Sequence, residues 1–162
     1  MTEFNNVELA RTIHEHLNTY ISSADQKASI LLTAQLAFLG LIANVFLDVW
    51  QLEEQILQIT LLLTVGVNIV AMVFSGLVVL PRTPSEKDMY LYWGNIIDEE
   101  IDEFTDDMKD FSDSSSFEQL VKEDYYLAKV ADKKYSNLFY SIVFTAGTVA
   151  MTCITGAGAL IL

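Results

Sequence analysis

The sequence predicts an all-α integral membrane protein with three transmembrane helices. It also predicts a cytoplasmic helical bundle, formed by helix extensions and by the loop between the second and third spans. Three observations lead there. The 162-residue chain is 52% apolar with a mean hydropathy of +0.33, and its apolar residues fall in blocks. No charged residue occurs in 28–47, 56–80 or 135–162, and each block reaches the roughly 20 residues that a helix needs to cross about 30 Å of hydrocarbon. Every Lys and Arg lies on one side of a three-span arrangement: Arg11 and Lys27 precede the first block, the other seven run from Arg82 to Lys134, and none lies between the first two blocks. No stretch shows the apolar–polar alternation of a half-buried strand. The length suits one domain, residues 1–162,.

Residues 5–27 read as a cytoplasmic amphipathic helix. Asn5 and Glu8 stand at capping-box spacing, and Ile13, Leu17, Tyr20 and Ala24 recur at helical intervals,. No Gly or Pro interrupts residues 6–39, so this helix is expected to run unbroken into the first span, 28–47. Glu3, Glu8, Glu15 and Asp25 replace the basic n-region of a signal peptide, so the span is expected to persist,. Residues 48–55 form a short outer loop, and the second span, 56–80, is stopped by Pro81 and Pro84,. In the cytoplasmic stretch 81–134, Ser85 and Asp88 make a capping start. Ile97, Ile101, Phe104, Met108 and Phe111 then form an apolar seam on an acidic helix,. Ser115 and Glu118 form a second capping box, whose helix passes through Leu120, Tyr125 and Ala128 into the third span, 135–162,.

The one-sided cations place the N-terminus in the cytoplasm and the C-terminus outside a multi-pass cell-membrane protein. Trp50 suits the outer interface, and Tyr135 and Tyr140 the inner one. A net charge of −13 argues against a nucleic-acid polymer as partner,. Cys153 is the single cysteine, so no disulfide forms within one chain,. His14 and His16, two apart, point to different helix faces and read as surface side chains rather than a metal pair. The acidic run 98–113 lacks the turn and spacing of an EF-hand loop and reads as a solvated face. No phosphate loop, nucleophile elbow or zinc-protease motif is present, so neither an enzyme nor a bound cofactor is expected.

Each span carries a small or polar line at three- and four-residue spacing. In the first it is Ser22, Gln26, Ser29, Thr33, Ala37, Gly40 and Asn44. In the second it is Thr64, Asn68, Ala71 and Ser75, and in the third Ser141, Thr145, Thr148, Thr152, Thr155 and Ala159. Hydrocarbon disfavours polar side chains, so all three lines are expected to face away from lipid. Tight packing explains them, with hydroxyls bonded to their own helix carbonyls. The sharper reading is a water-accessible internal path in a homo-oligomer, with Asn44, Asn68, Thr148 and Thr152 along it; Asn44 and Asn68 could instead pair between helices.

At the inner boundary stand Asp25 and Lys27, Arg82, and Lys133 with Lys134. One reading is topological: cations mark the boundary and Asp25, a structural residue at the edge, pairs with one of them. The other is a site for a small anionic ligand built from Lys27, Arg82, Trp93, Lys133 and Lys134, with Tyr90 and Tyr92 nearby. A phosphate needs only one or two cations, and aromatic faces suit a base.

The string Ala24-Asp25-Gln26-Lys27-Ala28-Ser29-Ile30-Leu31-Leu32 entering a first span resembles the start of the Pycsar membrane-effector family. The likeness continues in the Pro81 exit, the Tyr90 to Ile96 stretch and Lys134-Tyr135-Ser136-Asn137-Leu138. It covers essentially the whole chain. The resemblance implies an antiphage defence effector functionally linked to a pyrimidine nucleotide cyclase. Such an effector is triggered by a cyclic pyrimidine mononucleotide, cyclic CMP or cyclic UMP, to oligomerise or open and impair the membrane lipid bilayer. Two rivals are a non-gated membrane scaffold that docks a soluble protein through the Ile97 to Phe111 seam, and a transporter subunit. The second is disfavoured by the absence of charge within the spans.

Overall fold

Unbroken runs of helix-compatible residues shape the chain. The computed structural model describes residues 6–51, 54–81, 93–98, 100–110 and 113–161, and among them the regular structure is entirely helical. The five helices are α1 (Asn6–Gln51), α2 (Gln55–Val79), α3 (Trp93–Asp98), α4 (Ile101–Asp110) and α5 (Asp113–Ile161). At 1.5 Å per residue α1 and α5 are each about 70 Å long, more than twice the hydrocarbon thickness. α1, α2 and the Ser115–Gly158 part of α5 are long and apolar enough to cross a membrane.

Local chemistry sets the helix ends. Gln58 N–H donates to the Glu54 carbonyl at the start of α2, and Leu80 N–H closes its end on the Gly76 carbonyl. Leu80 then turns to ψ 130°, the extended conformation that a following proline imposes,. α1 continues past Leu47 to Gln51, where Trp50 stacks on Phe46 and its carbonyl accepts from Gln58 Nε2. α5 begins at Asp113, two residues ahead of the expected Ser115 cap. Asn5, Ser85, Asp88 and Phe111, also named as caps or seam residues, lie outside the described residues.

The chain divides into two compact units: a polar unit, 1–22 with 81–132, and an apolar unit, 23–80 with 133–162. In the apolar unit the helices pack on seams that alternate three- and four-residue steps. α2 buries Leu57, Leu61, Thr64, Asn68, Ala71, Ser75 and Val78. α5 buries Lys134, Leu138, Ser141, Thr148 and Thr155, with Thr145 and Thr152 half-buried between them. α1 buries Ala28, Gln35, Ile42 and Val49 at strict intervals of seven. A 3.5-residue repeat is the signature of left-handed helix packing. Two apolar layers result: Ala24, Ala28, Val78 and Leu138 at one end, and Ile42, Val49, Leu57 and Leu61 at the other. The outward surface is itself apolar, with Ile30, Leu41, Leu47, Ile56, Phe139 and Ile154 all exposed, as befits a lipid-facing surface.

The expected inward line of α2 is inward, as is that of α5 from Ser141 to Thr155; the side chain of Ala159 lies outside what is described. The line on α1 is not: Gln26, Ser29, Thr33, Ala37, Gly40 and Asn44 are all exposed in the single chain. Two of them need no outside partner, because Thr33 donates to the Ser29 carbonyl and Asn44 Nδ2 to the Gly40 carbonyl. Self-bonding lowers the cost of facing outward, and it leaves the seam position to Gln35, whose amide reaches across to another helix.

In the polar unit Ala10, His14 and Leu17 form the inward line of α1, while Ile13 and Tyr20, expected on that face, are exposed. On α5, Asp124 is the partner of His14, and Phe117, Leu120 and Ala131 are also buried or half-buried. Ile97, Ile101 and Met108 of the loop seam are exposed, and Phe104 is half-buried.

Candidate functional site

Lys134 is the most constrained cation in the apolar unit. It occupies a seam position of α5, and only 4% of its surface is exposed. A buried ammonium must keep a counter-charge and fill its donors. Lys134 Nζ pairs with Asp25 Oδ1 of α1 and donates to the Val78 carbonyl of α2 (2.6 Å). The carbonyls of the last helical turn lack partners of their own. α2 has no basic residue in its last turn, so Lys134 supplies from α5 the positive charge that a helix C-terminus favours,. One side chain thus ties α1, α2 and α5 together. Next to it, exposed Lys27 lies over the ring of Tyr135 at 5.9 Å, within cation–π range, and Tyr135 packs on the Ala24–Ala28–Val78–Leu138 layer.

The structure therefore gathers Asp25, Lys27 and Lys134 at one end of the apolar unit. Lys133 is exposed one residue away on α5. Trp93 opens α3 in the polar unit. Arg82, Tyr90 and Tyr92 lie outside the described residues. The cation that pairs with Asp25 is Lys134.

Between the two apolar layers lies a buried polar network. Gln35 Nε2 of α1 donates to Ser141 Oγ (3.1 Å) and Thr145 Oγ1 (2.7 Å) of α5. Asn68 Nδ2 of α2 donates to the Gln35 backbone carbonyl (3.2 Å). Ser141 Oγ donates to the Ala71 carbonyl (3.1 Å), so at the 2.6 Å contact between Ser75 and Ser141 the hydroxyl of Ser75 is the donor. Gln35 Oε1 is buried without a hydrogen-bond partner.

Beyond this network, toward the end where α1 stops, is a crevice of about 330 Å³ lined by residues such as Phe38, Ile42, Leu61, Thr64, Thr152 and Gly156. Its lining is wholly apolar, because Thr64, Thr152 and Thr155 each donate to the carbonyl four residues back. Of the four residues named for an internal path, Asn68 joins the interhelical network and Thr152 borders the crevice. Thr148 is buried and bonds the Phe144 carbonyl, whereas Asn44 is exposed.

The polar unit holds a titratable cluster that sequence reasoning missed. His14, read as a surface side chain, is half-buried and has a partner: Nδ1 donates to Asp124 Oδ1 at 3.0 Å, and the Asp124 side chain is only 9% exposed. The carboxylate can only accept, so Nδ1 carries the proton. The adjacent Glu123 has its Oε2 buried without a partner. Burial pushes its carboxyl above the usual range; the neighbouring Asp124 raises it further, and His14 partly opposes the shift,. His16 is exposed, as read. The missed signal was the spacing of Ala10, His14 and Leu17, which continues the four-and-three rhythm of the seams.

Among the described residues no group of His, Cys, Asp and Glu is placed to hold a metal ion. Comparison with known proteins gives two matches. The family model described as the Pycsar effector protein domain matches residues 9–162. The curated Pycsar effector protein SaPycTM of Staphylococcus aureus is 28% identical over 153 residues, covering 91% of this chain and 90% of its own. No solved structure matches the chain.

Proposed function

The chain belongs to the Pycsar effector family of antiphage defence proteins, and from that premise we propose that it senses a cyclic pyrimidine mononucleotide and, as a homo-oligomer, impairs the cell membrane. In this reading the Asp25 end of the apolar unit faces the cytoplasm, where a partner pyrimidine nucleotide cyclase releases cyclic CMP or cyclic UMP. The observation that carries the proposal is the Lys134 junction, a buried cation that binds all three candidate spans at one point. Lys27, Lys133 and Lys134 supply positive charge for the phosphate. The effector acts by changing packing rather than by enzymatic chemistry. A ligand shifts such an equilibrium only through differential affinity for the closed and permeable states.

Two observations support the oligomer. The outward line on α1, from Gln26 to Asn44, gives neighbouring copies a polar and small surface suited to close helix contact in lipid,. Inside one chain the polar network gives way to a wholly apolar crevice, so a permeation path through Asn44, Asn68, Thr148 and Thr152 requires several copies. The test is dye release from vesicles carrying the purified protein, with cyclic CMP or cyclic UMP added, beside calorimetric binding. Release and binding with either nucleotide support the reading. No release and no binding with both overturns it.

A second reading is favoured by one feature. Ile97 and Ile101 are 76% and 77% exposed, and Met108 is exposed beside them on an acidic helix. A non-gated membrane scaffold would use that face to dock a soluble protein. Stoichiometric recovery of one protein with the wild type, lost on Ile97→Ser and Ile101→Ser, would favour it over the effector.

A further inference from the structure

The two halves of the Asp25–Lys134 pair are not equally accessible. The lysine side chain is 5% exposed and the aspartate side chain 37%. Lys134 cannot lose its counter-charge without stranding a cation in a low-dielectric site, whereas Asp25 can turn toward water at little cost. Lys134 has three donors, of which Asp25 and the Val78 carbonyl engage two,. Lys27, two residues after Asp25, holds its amine over Tyr135, the residue after Lys134. An anion entering where Asp25 sits would meet the Lys134 amine.

We propose that Asp25 is a built-in anion that holds the effector closed by occupying Lys134, and that activation is its exchange for an external phosphodiester anion. This inference rests on the effector reading and names its regulation. In the closed state the pair holds α1 to α5 while Lys134 also holds the end of α2. An incoming phosphodiester keeps Lys134 neutralised and frees α1, so the exchange leaves no buried charge unpaired. The anion's affinity is spent only in the released state, which is the differential binding that a population shift requires. Cyclic mononucleotides and anionic lipid headgroups share the phosphodiester group, so either could supply it.

The test uses the full chain in phosphatidylcholine vesicles, with and without cyclic CMP or cyclic UMP, and in vesicles that also contain phosphatidylglycerol. Asp25→Asn keeps the shape and removes the charge. It is expected to leak without nucleotide about tenfold or more faster than wild type. Asp132→Asn, which removes an exposed carboxylate two residues before Lys134, should stay tight. Asp25→Asn that inserts, shows wild-type helicity and holds its dye overturns the lock. Amine labelling of the wild type is the second measurement. At rest Lys134 should be far less reactive than exposed Lys129 and should become about fivefold or more reactive when dye is released. Equal reactivity at rest, or unchanged reactivity during release, overturns the proposal even if the variant fails to insert. Release with phosphatidylglycerol alone identifies the headgroup as the anion, and release with nucleotide alone identifies the free ligand. If neither nucleotide acts on the wild type, the proposed function falls, while spontaneous leakage of Asp25→Asn still sustains the lock.

Discussion

Ser75 and Ser141 meet across α2 and α5 with their hydroxyl oxygens 2.6 Å apart, and Ser141 also receives Gln35 from α1. All three long helices therefore meet at one hydroxyl. Ser141→Ala should lower the unfolding free energy in detergent by about 1 kcal/mol, the scale of interhelical hydrogen bonds in membranes. Thr152→Val should change it by less than about 0.5 kcal/mol, because Thr152 bonds only its own helix,. Denaturant titration followed by circular dichroism separates the two.

Gln35 behaves differently from the serines. Its Oε1 is buried without a partner, while its backbone carbonyl accepts from Asn68 whatever the side chain. Gln35→Leu removes an unsatisfied acceptor, and Ser141 and Thr145 keep their bonds to the Ala71 and Ser141 carbonyls. The expected change in unfolding free energy is within about 1 kcal/mol, of either sign. A loss well beyond that would mean that the amide is indispensable to packing.

Glu123 links the polar unit to pH. Its carboxyl is raised in the folded chain, by burial first, so the folded state binds more protons than the unfolded state from about the ordinary value of 4.5 up to the raised one,. Stability contributed at this position is greatest with the acid protonated and falls as pH rises through that window. Glu123→Gln should flatten this part of the curve. Thermal midpoints measured from below pH 4.5 upward give the slope, and a variant that falls as steeply as wild type would rule Glu123 out as its source.

Ligand affinity should respond to Lys27 and Lys133 of the apolar unit and not to Lys129 of the polar unit. Lys27→Gln and Lys133→Gln are each expected to weaken cyclic-nucleotide binding about tenfold, the scale of one charge-assisted hydrogen bond. Lys129→Gln, which removes an amine lying 4.2 Å from the ring centre of Tyr125 in the polar unit, should bind as wild type. Calorimetry on the detergent-solubilised chain reads all three.

Three charge-free blocks and a proline at position 81 are enough to predict three long apolar helices, because hydrocarbon accepts few charges and a helix cannot continue through proline. The inward face of α2 was equally legible: Thr64, Asn68, Ala71 and Ser75 are its polar line, and burying them was the only way to keep them from lipid. Asp25 and the lysines stood out for the same reason, as charges at the edge of an apolar block. The family string around Asp25 carried the functional class.

What the sequence left open was the rotation of α1. Both the Gln26–Asn44 line and the Ala28–Gln35–Ile42–Val49 line recur at helical spacing, and periodicity alone cannot say which of the two packs inward. The choice depends on what each amide finds opposite: Asn44 can satisfy itself on Gly40, while Gln35 finds Ser141 and Thr145 more than a hundred residues away. A similar distance hid the pairing of His14 with Asp124 and the choice of Lys134 as the partner of Asp25. Composition and local pattern determined that the helices exist and what kind of surface each presents. Tertiary packing decided which polar groups meet, because a buried donor is satisfied by whatever another helix brings to it.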